Sequence, residues 1–125
     1  MRIGRLIHPR FLEVVRKLQT EHIPLRGAYK LKALVKTIDE EINKYEELRK
    51  SAVEKYGTKL ESGELDRDES GGAKFSDENN KLFVDDINGL LNLDVPFAKM
   101  SIKDLGENVK LSVEDLFFIE ELLED

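Results

Sequence analysis

Between Gly27 and Tyr56 the residues Ala28, Leu31, Val35, Ile38, Ile42, Tyr45, Ala52 and Tyr56 fall on alternating steps of three and four, with Arg49 occupying the one polar step. That spacing marks one face of an α-helix, and Leu34 and Leu48 widen the apolar stripe. The other faces carry Glu40, Glu41, Glu46, Glu47 and Glu54 interleaved with Lys44, Lys50 and Lys55, which is the pattern of a solvated helix exterior. Gly57 directly after Tyr56 suits a C-terminal cap, because glycine enters the left-handed conformation without steric cost. A helix of this length is about 45 Å long. It exceeds the width of a small domain, so we expect it either to bend over the core or to project at one end and meet another helix.

The flanking segments support further helices. His8-Pro9 followed by Phe11, Val14, Val15 and Leu18 predicts a short helix over about 9–20, with Pro24 marking the next break. Residues 2–7 fit either a short strand or an arm. Residues 58–75, polar and punctuated by Gly63, Gly71 and Gly72, read as a flexible acidic loop with a small hairpin at Leu60–Leu65. Ser76 then caps a helix that buries Leu82, Phe83, Ile87, Leu90 and Leu91 and ends near Asn92.

Leu93, Val95 and Phe97 alternate, and the pattern resumes in a new phase at Met100 and Ile102, which predicts a strand with a bulge or edge near Pro96. Val109–Leu111 is the expected pairing strand after a turn at Gly106. Ser112 and Asp115 resemble a capping box opening a final helix that buries Leu116, Phe117, Ile119, Leu122 and Leu123. The fold expected is therefore α+β and helix-dominated, with about four helices, one of them long and central, and a small β-sheet or hairpin. One domain over 1–125 accounts for the length.

Charge is distributed unevenly. Met1 to Lys36 holds nine basic residues against two acidic ones, whereas Glu61 to Asp125 holds six basic against eighteen acidic. A two-sided molecule is expected, with Arg2, Arg5, Arg10, Arg16, Lys17 and Arg26 as the candidate binding residues. They suit an acidic protein surface, or a neighbouring copy's acidic end, better than phosphates, because only Phe11 and Tyr29 accompany them as aromatics. Nucleic acid is the less favoured partner. The chain has no cysteine, which excludes disulfides and thiolate metal sites, and its apolar runs are too short for a membrane span or a signal peptide.

Chemistry finds little purchase. His8 precedes a helix-starting proline and His22 lies in an interhelix turn, and neither sits in a nucleophile–base motif, so no catalytic residue is assigned. Asp66, Asp68, Ser70 and Gly71 match positions 1, 3, 5 and 6 of a twelve-residue calcium loop, with Asp77 at position 12. The usual bidentate Glu is missing there, and Lys74 places a positive charge at position 9. An acidic surface loop is the preferred reading, and no cofactor is expected.

The run His22-Ile23-Pro24-Leu25-Arg26-Gly27-Ala28-Tyr29-Lys30-Leu31, the helix that follows to Lys55-Tyr56-Gly57, and the closing Leu111-Ser112-Val113-Glu114-Asp115-Leu116 resemble a family of small tailed-phage and prophage proteins. In that family a proline-led turn opens a long Lys/Glu-rich helix, an acidic glycine loop of variable length follows, and a Leu-Ser-x-x-Asp-Leu helix closes the chain. The resemblance spans the chain from about Ile7 onward and carries over no catalytic residues. It implies a phage-encoded protein and no established activity. The role expected here is a virion structural or assembly component, in the virion or the host cytoplasm, that contacts copies of itself or other virion proteins through the exposed part of the long helix and the two oppositely charged ends. An accessory factor that binds a host protein is the alternative.

Overall fold

The computed structural model describes residues 1–124. Its order is α1 (Ile3–Leu6), α2 (Pro9–Gln19), α3 (Leu25–Tyr56), α4 (Asp77–Leu91), β1 (Met100–Ser101), α5 (Ile102–Leu105), α6 (Val113–Ile119), a 3-10 turn (Glu120–Leu122) and β2 (Leu123–Glu124). The fold is helix-dominated α+β, as expected. The long helix is unbroken over 32 residues. The chain divides into two compact units that share α3: residues 1–42 with 93–125, and residues 43–92.

The first unit contains every buried apolar side chain of the described residues. Phe11, Leu6, Leu18, Ile119 and Leu122 are its most enclosed members, joined by Val14, Val15, Leu31, Leu34 and Ile38. Helix α2 starts as the sequence predicts: Pro9 occupies the first turn, and His8 Nδ1 accepts from Arg10 N at 3.1 Å. Helix α2 packs against α6.

The buried stripe of α3 is Gly27, Leu31, Leu34 and Ile38. It is rotated from the predicted seam: Ala28 is exposed, and Val35 and Ile42 are only half-buried. A stripe wider than one neighbour covers allows two rotational settings, and tertiary packing selects between them.

Residues 2–7, left open by the sequence, form a single helical turn. Met1 and Ile3 pair with the extended segment beyond it: Val95 N donates to Met1 O at 2.7 Å and Ile3 N to Leu93 O at 2.9 Å. Of the strand predicted over 93–102, Met100–Ser101 is a strand (β1), whereas the part before it is an extended segment with one antiparallel bridge, Arg2 to Asp94. The phase slip that suggested a bulge falls in the irregular stretch before β1, and α5 begins at Ile102 directly after that strand. Ser101 opens it with a complete capping box, its hydroxyl receiving Asp104 N while Asp104 receives Ser101 N. Val109–Leu111 is not a strand; β1 pairs instead in parallel with β2, Met100 opposite Leu123 and Ser101 opposite Glu124. Ser112 caps α6 with a second complete box. Of the residues expected to be buried there, Ile119 and Leu122 are, whereas Leu116 and Phe117 are 43% and 55% exposed.

The second unit is the remainder of α3, α4 and the segment between them. Two consecutive hairpin turns fill the expected acidic loop, bridged at Lys59–Leu65 and Arg67–Ala73. Thr58, Asp66 and Lys74 tie them together: Thr58 N donates to Lys74 O, Asp66 N to Thr58 O and Lys74 N to Asp66 O. Ser76 caps α4 on Asn79 N, and Tyr56 holds α4 through its hydroxyl on Asp86 (2.7 Å) and its carbonyl on Asn79 (3.2 Å). Phe75 stacks on Phe83 with ring centres 4.9 Å apart. The burial expected for α4 is not reached: Phe83, Ile87, Leu90 and Leu91 are half-buried and Leu82 is exposed. Only Gly57 is buried in this unit.

Two glycines give opposite tests of packing. A Cβ on Gly27 would lie 1.8 Å from the Asp104 carbonyl oxygen, whereas one on Gly89, in the interior of α4, meets nothing within 4 Å. Gly27→Ala therefore lowers the stability of the first unit, while Gly89→Ala raises helix stability by about 0.5–1 kcal/mol. Ile38→Ala removes a side chain that is 3% exposed and costs about 2–5 kcal/mol. Urea unfolding monitored by circular dichroism ranks the three.

Candidate functional site

The predicted basic set does not form a free patch. Arg10 Nη2 meets Glu114 Oε1 at 2.5 Å and Lys17 Nζ meets Asp115 Oδ2 at 3.1 Å, so α2 is clamped to the start of α6 through charge. Arg5 lies over Phe117 and Phe118, 4.9 and 5.1 Å from the ring centres, and donates to the Phe117 carbonyl at 2.7 Å. This contact explains why Phe117 is placed usefully while half in solvent: its ring serves a cation rather than the core. Arg26 Nε reaches Asp104 at 3.5 Å, and Arg2 sits in the backbone bridge to Asp94. The basic-to-acidic pairing expected between copies is thus made within one chain.

Asp104 is the centre of the densest polar cluster. It is 4% exposed and receives Lys30 Nζ at 2.8 Å and Ser101 N at 2.9 Å. The Lys30 hydrogen bond first, then the Ser101 amide and the Arg26 charge, pull its carboxyl from the ordinary 3.8 to about 2. Gly27 permits the Asp104 backbone to approach α3, and Gly106, at φ 76°, lets the chain turn under the Pro24 ring. These contacts join the start of α3 to α5. Sequence reasoning passed over Asp104, although Ser101-Ile-Lys-Asp104 repeats the Ser-x-x-Asp spacing recognised at Ser112.

The calcium-loop residues are engaged otherwise. Asp68 Oδ1 accepts from Ser70 Oγ (2.8 Å), Ser70 N (3.0 Å) and Gly72 N (2.9 Å), bonds that hold its carboxyl below the usual range. Asp66 leans toward Lys74 at 3.9 Å, and Asp77 belongs to the first turn of α4. Among the described residues no cluster of three His, Asp or Glu is arranged to hold a metal ion. His8 is occupied as a helix cap and packs on Phe118, ring centres 5.1 Å apart, and His22 is exposed.

One region offers a shaped surface. Between α2 and α3 lie two adjoining clefts of about 240 and 160 Å³ that share Gln19 and Val35. Leu12, Val15, Leu31 and Ile38 supply apolar walls. Arg16 and Asp39 stand at one end, Glu21 and Lys32 at the other. Arg16, the remaining member of the predicted basic set, makes no ion pair among the described residues.

Comparison of the chain with protein-family models, curated proteins and solved structures finds no match. Among the described residues no helix is long and apolar enough to cross a membrane.

Asp104 links folding to pH. Its folded-state pKa lies below its unfolded value, so its stabilising contribution is full above about pH 4 and is lost as pH falls toward 2. Asp104→Asn should flatten the acid limb of the stability curve between these values. Thermal melts of both proteins across pH 2–5 measure the difference.

Proposed function

We propose that the protein is a non-enzymatic component of a tailed phage, built into the virion or used to assemble it, and that residues 43–92 make its contact with another protein of the particle. The single observation carrying this reading is that two helices, α4 and the later part of α3, fold without one buried side chain while leaving Leu48, Leu82 and Val84 43–51% exposed. Tyr45, Val53, Phe83, Ile87 and Leu90 are half-covered as well. A unit so thinly packed gains stability when a companion removes its apolar surface from water, at about 25 cal/mol per Å² buried. The sequence resemblance to phage proteins supplies the setting.

The charge economy of the first unit changes the character of the expected contact. Arg10, Lys17 and Arg26 already have carboxylate partners in the same chain, which leaves less charge for joining molecules and weakens the nucleic-acid alternative. Association through 43–92 should therefore persist at high salt, because apolar burial is not screened.

Mass spectrometry of purified particles tests the proposal. The chain should be present at a fixed copy number and remain after a salt wash. Leu82→Asp should strip it from particles while shifting its own melting temperature by no more than a few degrees, as expected for an exposed position. A chain absent from particles but recovered with one host protein supports the accessory-factor reading.

A further inference from the structure

The α2–α3 groove carries an inference independent of the surface assigned to 43–92. Beside the buried stripe of α3 runs a second one, Ala28, Lys32, Val35, Asp39 and Ile42, on steps of four, three, four and three. Its members are exposed or half-buried, and Val35 is common to both clefts. This is the spacing of a helix seam that meets another helix.

Charge on this stripe is patterned rather than uniform. Lys32 and Asp39 lie symmetrically about Val35, one turn to either side, with Ala28 and Ile42 beyond them. Lys32, Asp39, Arg16 and Glu21 have no ion partner among the described residues, whereas Arg10, Lys17, Arg26 and Lys30 nearby in sequence all do. The groove thus presents a positive and a negative charge on α3, and beside them the negative Glu21, just past the end of α2, and the positive Arg16 within α2, in opposite order along its length.

We propose that this groove is a homodimer contact in which a second copy of the chain packs its α3 antiparallel to the first, about a two-fold axis at Val35. That arrangement sets Lys32 of each copy against Asp39 of the other, and Ala28 against Ile42. The same axis brings Arg16 of one copy's α2 over Glu21, which follows α2, of the other, so all four charges gain opposite partners at once. An isologous interface requires a self-complementary patch, and mirrored charges around an apolar centre meet that requirement. A parallel pairing would oppose Lys32 to Lys32 and is disfavoured.

Charge reversal tests the register as well as the contact. In sedimentation experiments the wild-type chain should be dimeric at tens of micromolar. Lys32→Glu and Asp39→Lys should each weaken dimerisation by about tenfold or more, since each replaces two attractive pairs with two repulsive ones. An equimolar mixture of these two variants should form heterodimers, because both cross-copy pairs become opposite again, and the double variant should dimerise alone. The positions are exposed, so circular dichroism should be unchanged in all of them. The natural absence of cysteine allows a second readout: Val35→Cys should cross-link to its counterpart under mild oxidation, whereas Ala33→Cys should not. A monomer at several hundred micromolar, a dimer indifferent to the charge reversals, or mixed variants that stay apart would overturn the proposal. Leu82→Asp should leave this dimer intact, which separates its failure from failure of the particle contact.

Discussion

Asp104 is where the two distant parts of the first unit are joined. A carboxylate removed from water is costly unless hydrogen bonds and opposite charge replace its hydration. Lys30, Arg26 and the Ser101 amide do so here, and none of them is near it in sequence except Ser101. The close approach of α5 to α3 that this requires is possible because residue 27 has no side chain. One electrostatic demand and one steric permission therefore set the position of the segment between Ser101 and Gly106. Once it is set, Met100 and Ser101 are in place to receive the β2 residues Leu123 and Glu124.

The same logic explains the use of charge elsewhere. A basic segment and an acidic segment in one chain suggest a molecule with two poles, yet α2 and α6 lie together and exchange their charges directly. Lys17 and the Ser112 amide both hold the Asp115 carboxylate, whose pKa is lowered mainly by that amide. These are exposed or half-exposed pairs and add modestly to stability. Their larger effect is on what α2 has left over: Arg16 alone of its basic residues keeps its charge unmatched, at the groove between α2 and α3.

Legibility followed the strength of local signals. Helices α2, α3, α4 and α6 were readable because caps and periodicity agreed, as with Ser76 before Asp77; Gly57 does follow the last residue of α3, but without the left-handed conformation expected of it. Residues 93–111 were misread because alternation at Leu93, Val95 and Phe97 is shared by strands and by extended segments with a single bridge. The rotation of α3 was beyond the sequence for a different reason. With Leu34 and Val35 both apolar, the positions of neighbours such as α2 and α5 decide which one faces inward. The basic residues were individually visible, but their partners lie about a hundred positions away, and composition carries no information about such pairings.

The division into two units has a temporal side. The enclosed side chains of the first unit come from Ile3 to Ile38 and again from Val95 to Leu122, with fifty-six residues between the two sets. Contacts of such separation form slowly, since a long loop must close before any of them is rewarded. The intervening hairpins and α4 rely on neighbours close in sequence and are free to organise first. During translation the nascent chain thus carries Phe11 and Leu18 uncovered until Ile119 and Leu122 have left the ribosome, an interval in which chaperone capture or mispairing is most consequential.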